Sequence, residues 1–112
     1  MLANLELPAI SELFIDGNDT DRAFYAEGLK SCWPGYRILE ATNGHSGRSI
    51  YRSQRVDCVV LEIVLPDRSG LEILVDLVPI ARRPHIAVVV LTRLKHRPVW
   101  EGAKQLGAYA VV

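Results

Sequence analysis

The chain has 112 residues, of which 49% are apolar and 23% charged, with 13 Lys and Arg against 13 Asp and Glu. That length allows one domain with one core, and the apolar share excludes a disordered tail. Zero net charge advertises neither nucleic acid nor an anionic membrane as partner. No apolar run nears the ~20 residues a bilayer needs, and residues 1–10 carry Glu6 but no Lys or Arg, so a soluble cytoplasmic protein is expected.

Strand-like and helix-like runs alternate along the chain, which predicts βαβ units and a parallel sheet. A first strand through Leu13, Phe14 and Ile15 ends in the polar stretch 16–21, rich in helix-capping types, with Asn18 or Asp19 as the cap. In the helix that follows, Tyr25, Gly28, Leu29, Cys32 and Trp33 form one stripe expected to face the sheet, and Pro34-Gly35 stops it. Residues 36–41 read as a short strand, and Asn43-Gly44 turns the chain into a weak helix through Ile50 and Tyr51. Residues 57–65 read as a central strand buried on both faces, interrupted by Glu62.

After the loop 66–70, Leu71, Leu74, Val75 and Val78 make a helical stripe that Pro79 is expected to end. A β-branched run over 86–91, closed by Thr92, is the fourth strand. The basic loop 93–97 leads into Pro98, suited to the first turn of a helix lined by Val99, Gly102, Ala103 and Leu106. Residues 108–112 read as a fifth strand. Cys32 and Cys58 lie in apolar stretches, which predicts reduced core thiols and no disulfide framework. His45, His85 and His96 lack metal-ligand spacing and are expected at the surface, and Trp33 and Trp100 in packing.

In an open parallel sheet the functional crevice lies beyond the carboxyl ends of the strands. Asp16, Glu62 and Thr92 hold those positions, with Arg93 and Lys95 close by in sequence as counter-charges. The bland readings are a solvated Glu62, an Asp16 that only caps a helix, a Thr92 that bonds loop backbone and a basic loop that is merely solvated.

The stretches Leu13-Phe14-Ile15-Asp16, Asp57-Cys58-Val59-Val60-Leu61-Glu62-Ile63-Val64-Leu65-Pro66, Ser69-Gly70-Leu71-Glu72 and Val88-Val89-Val90-Leu91-Thr92, with Gly107-Ala108, resemble the receiver domain of two-component response regulators. The resemblance spans essentially the whole chain. It implies an α/β, flavodoxin-like (CheY-like), doubly wound parallel sheet of five strands in order 2-1-3-4-5. Residues 1–112 would be one receiver-like domain whose last helix lies past the end of this sequence. In the family a histidine kinase phosphorylates an aspartate at the end of the third strand, beside Mg²⁺ held by acidic residues of the first strand tip.

Here Glu62 stands at the acceptor position, Asp16 matches the first acidic residue and Gly17 replaces the second, while Thr92 matches the hydroxyl switch. The switch aromatic aligns with Val111, two residues from Tyr109. Losing one carboxylate and lengthening another disturbs an octahedral Mg²⁺ site. At most a weak site at Asp16, Glu62 and the Val64 backbone is expected, and no other cofactor. Positioning dominates phosphoryl transfer, so impaired or absent phosphoryl acceptance follows. The expectation is a non-enzymatic pseudo-receiver with a histidine kinase or an output domain as partner and no nucleic acid or membrane contact. A homodimer through the fourth helix and fifth strand is also expected. The alternative is a small phosphohydrolase of haloacid-dehalogenase type using Asp16, although Asn18 replaces that motif's second aspartate.

Overall fold

The computed structural model describes residues 9–81 and 87–112. The elements run β1 (Ser11–Ile15), α1 (Asp19–Cys32), β2 (Arg37–Ala41), α2 (Gly44–Ser53), β3 (Cys58–Leu61), α3 (Gly70–Ala81), β4 (Ala87–Val90), α4 (Arg97–Gln105) and β5 (Ala110–Val111). All five strands are parallel, in the order β2-β1-β3-β4-β5. The reversal of strand order falls at β1 and β3, whose carboxyl ends carry Asp16 and Glu62.

One face of the sheet holds the core. Leu13, Ile15, Val59, Leu61, Val88 and Val90 point to that face and are fully buried against Tyr51 of α2, Ile73, Leu74 and Leu77 of α3 and Ala103 of α4. On the opposite face, Phe14 of β1 and Ala26 of α1 are buried, while Cys58, Val60, Ala87 and Val89 remain half-buried. Burial in β3 and β4 therefore alternates, which corrects the expectation of a strand covered on both sides. β3 is also shorter than its apolar run. Ile63 and Leu65 reach the core from a loop, Val64 is exposed, and Val64 bridges Ser69.

The α1 stripe is corrected too. Ala26 is the residue of α1 that is buried, whereas Phe24 at 73% and Trp33 at 52% exposure line an open apolar groove of about 700 Å³ together with Tyr25, Gly28, Leu29 and Cys32. Cys32 is exposed and Cys58 half-buried, so neither thiol is a core residue. Trp33 stacks on Tyr36 with ring centroids 5.8 Å apart, and the Trp100 Nε1 donates to the Leu94 carbonyl at 2.6 Å. α3 continues through Pro79 to Ala81, and its buried stripe is Ile73, Leu74 and Leu77, with Val75 half exposed. The side chain of Val78 and all of His85 and Ile86 lie outside the described residues. His45 and His96 are exposed.

Candidate functional site

Ladder hydrogen bonds carry the strands one or two residues beyond their ends and set the site's geometry. The Glu62 N–H donates to the Ile15 carbonyl at 3.0 Å, the Leu91 N–H to Leu61 at 3.0 Å and the Thr92 N–H to Val112 at 3.2 Å. Asp16 and Glu62 thus stand side by side on adjacent strand ends. With Asp21, Val64, Pro66 and Arg93 they line a cleft of about 590 Å³. Thr92 lines a recess of about 40 Å³ with Asp16, Asp21, Glu62 and Arg93.

Glu62 is 9% exposed, and a carboxylate so placed needs donors. Its Oε2 accepts from the N–H of Ile63 and, at 3.3 Å, from that of Val64. Its Oε1 accepts from the Arg93 N–H at 3.4 Å, a long bond. The turn that folds the carboxylate back on its own backbone is held by Gly70, whose N–H donates to the Ile63 carbonyl at 2.6 Å. A Cβ at Gly70 would lie 2.1 Å from the Glu62 carbonyl oxygen, so only glycine fits.

Asp16 is half-buried, and its Oδ1 accepts from the Asn18 N–H at 2.8 Å. Burial pushes its pKa up, the Asn18 bond opposes this, and the nearby Glu62 charge adds to the rise. Next to it, a Cβ at Gly17 would lie 2.7 Å from Cδ of the Pro66 ring, so the loop leaves no room for a side chain there. Asn18 caps α1, accepting from the Asp21 N–H at 2.9 Å. Residues 16–20 therefore form a strand-to-helix cap, and Asn18, not a second aspartate, faces the helix terminus.

Thr92 Oγ1 accepts from the Leu94 N–H at 3.1 Å and so pins the loop's own backbone. The expectation that Arg93 or Lys95 would neutralise Glu62 is corrected. Arg93 meets Glu62 through its backbone N–H, and its guanidinium binds Asp21. The reason is that Glu62's oxygens already face backbone donors, while Asp21 presents two carboxylate oxygens to a planar fork. Lys95 is exposed and makes no ion pair among the described residues.

Three site residues escaped the sequence reading. Asp21 pairs with Arg93, and the Asn18-x-x-Asp21 spacing of a capping box was the signal for it. Arg22 braces the Asp16 carbonyl from below at 2.6 Å and ties it to Asp19 and Glu40. Asp67 accepts from the N–H groups of Gly44 at 2.8 Å and His45 at 2.9 Å, fastening the loop after β3 to the start of α2. The Gly44 bond, chief among several, holds its carboxyl below the usual range.

Residues 13–112 match the response regulator receiver domain family. The chain is 31% identical over 87 residues to a probable cyclic di-GMP phosphodiesterase of Vibrio cholerae, covering 78% of this chain but only 19% of that protein's length. It is 24% identical over 102 residues to the polar-differentiation response regulator DivK of Brucella anthropi, covering 91% of this chain and 81% of DivK. The fold superposes with a TM-score of 0.84, at 19% identity, on the signal receiver domain of a DNA-binding response regulator from Colwellia psychrerythraea, covering 91% of this chain and 83% of that one. With the match extending over nearly the whole chain and the strand order the same as in those folds, this chain belongs to the response regulator receiver domain family.

Proposed function

We propose that this receiver domain signals through protein contact with little or no phosphoryl acceptance, Glu62 standing at the acceptor position. The observation that carries the reading is the state of the Glu62 carboxylate: it is turned back onto the N–H groups of Ile63 and Val64 and faces that of Arg93. In-line transfer needs an oxygen aimed at phosphorus, and here the carboxylate is turned toward its own backbone, with Oε2 accepting from both Ile63 and Val64. The same bonds put a fixed negative charge at the carboxyl edge of the sheet, in contact with the loop after β4. A partner would read that as a constant output state. The charge is single and lacks a phosphoryl group's tetrahedral oxygens, which limits how far it imitates one.

Mg²⁺, which the family implies, does not fit these residues. Asp16, Glu62 and the Val64 backbone would have to hold it. Gly17 supplies no carboxylate and has no space for one, Asp16 is engaged by Asn18, and no group of three His, Cys, Asp or Glu side chains is placed to share an ion among the described residues. Incubation with acetyl phosphate and Mg²⁺ followed by intact-mass measurement is expected to return the unmodified mass. A stoichiometric phosphoryl adduct overturns the reading.

As a family member the chain works in two-component signalling, where receiver domains meet histidine kinases or output domains. No helix among the described residues is long and apolar enough to cross a membrane. The haloacid-dehalogenase alternative is not favoured: the family match covers residues 13–112 and Asn18 is spent on capping α1. The homodimer through α4 and β5 remains part of the proposal, and light scattering that returns a strict monomer removes it.

A further inference from the structure

The loop over residues 91–96 joins β4 to α4 with neither helix nor strand of its own, yet it is fastened at three points. Arg93 Nε donates to Asp21 Oδ2 at 2.6 Å and its Nη2 to Oδ1 at 2.5 Å, two parallel bonds between residues 72 apart in sequence. The Arg93 N–H faces Glu62. Trp100 on α4 holds the Leu94 carbonyl through its indole N–H at 2.6 Å.

We infer that Arg93 and Asp21 form a latch that straps the loop after β4 to the first turn of α1, beside the recess that Glu62 lines, by a contact made wholly within the chain. The two ends differ in a way that suits a latch. Asp21 is fixed in the helix with 15% of its side chain exposed, while Arg93 is 80% exposed and reaches it from outside. The post stays and the hasp moves. Arg93 and Asp21 both line the cleft of about 590 Å³ and the recess of about 40 Å³, as do Asp16 and Glu62, so the latch borders the two carboxylates at the strand ends.

The pair is also electrostatically consistent: the Arg93 hydrogen bond, more than its charge, holds the Asp21 carboxyl below its usual range. A bidentate ion pair at the surface is screened by water and salt, so it biases a loop by a small factor and does not lock it. That suits a contact that a competing charge on a partner can open. The latch does not depend on whether Glu62 accepts a phosphoryl group, because neither of its members is Glu62.

The Trp100 indole N–H reports the loop's position without being part of the latch. In the 112-residue chain, Arg93→Ala and Asp21→Asn are each expected to speed its hydrogen exchange about 2- to 5-fold, the range for one exposed ion pair. The double variant should exchange no faster than either single one, and the backbone amides of Val59 and Val88 in the core should stay unchanged. Raising salt to about 0.5 M should speed exchange in the unmodified chain and leave the variants alone. Indole exchange unmoved by both substitutions, single effects that multiply in the double variant, or no response of the unmodified chain to salt overturns the latch.

Discussion

The two faces of this sheet are built from similar residues and covered very differently. Val59 and Val60 are neighbours in β3, as are Val88 and Val89 in β4. Val59 and Val88 lie fully inside, under α2, α3 and α4, while Val60 and Val89 lie on the side where α1 covers only part of the sheet. Hydrophobicity therefore does not tell which valine matters, whereas parity along the strand does, because side chains two apart share a face.

The largest expected effect tests that comparison directly. Leu61 is fully buried at the end of β3, so Leu61→Ala removes core volume that its neighbours cannot refill and is expected to cost about 3 kcal/mol. Val60→Ala, on the half-covered face, is expected to cost about 1 kcal/mol or less. Urea unfolding of both variants measures this, and equal losses would mean that the second face is as well packed as the first.

Cysteine chemistry gives the next contrast. Burial, with Glu12 adjoining, pushes the Cys58 thiol up to about 11 from its ordinary 9.0. At pH 8 that leaves about a hundredfold less thiolate than an unperturbed thiol. Cys32 is exposed beside the α1 groove. Alkylation by iodoacetamide followed by peptide mass mapping is expected to label Cys32 first, with Cys58 slower by about two orders of magnitude. Labelling at equal rates would mean that the half-covered face opens far enough to solvate Cys58.

The same parity explains what the sequence could and could not reveal. The alternation of elements and the placing of Asp16, Glu62 and Thr92 at strand ends were legible, because each depends on local punctuation: a capping run, a Leu-Pro, a Gly. The run 57–65 misled because apolar residues of a strand and of a loop that dives into the core look alike in one dimension, and Ile63 and Leu65 belong to the loop. The stripe on α1 misled because helical spacing of apolar residues does not say which face meets the sheet, and here Ala26 does while Tyr25, Cys32 and Trp33 are exposed. The Arg93 to Asp21 bond was out of reach altogether. No periodic signal links residues 72 apart, and basic residues at 93, 95 and 97 look interchangeable until the backbone selects the one that reaches α1.

The smallest effect is expected where the strands end in the cleft, at Asp16. Its pKa is raised, chiefly by burial and also by the Glu62 charge, so the folded chain holds that proton more tightly than the unfolded one does. At neutral pH the ionised Asp16 therefore works against folding, and the penalty disappears as pH falls through the raised folded-state pKa toward the ordinary 3.8. Asp16→Asn keeps an oxygen for the Asn18 N–H and removes the charge. It is expected to leave stability at pH 7 equal or higher by under about 0.5 kcal/mol, since the site is half open to water. The gain should shrink as the solution is acidified, because the unmodified chain then protonates its own carboxyl. Thermal melts of both chains between pH 7 and pH 4 read the difference. A variant that is clearly less stable at pH 7 would show that the Asp16 charge serves a contact beyond the Asn18 cap, and the pocket would then have to be drawn with a cationic partner for it.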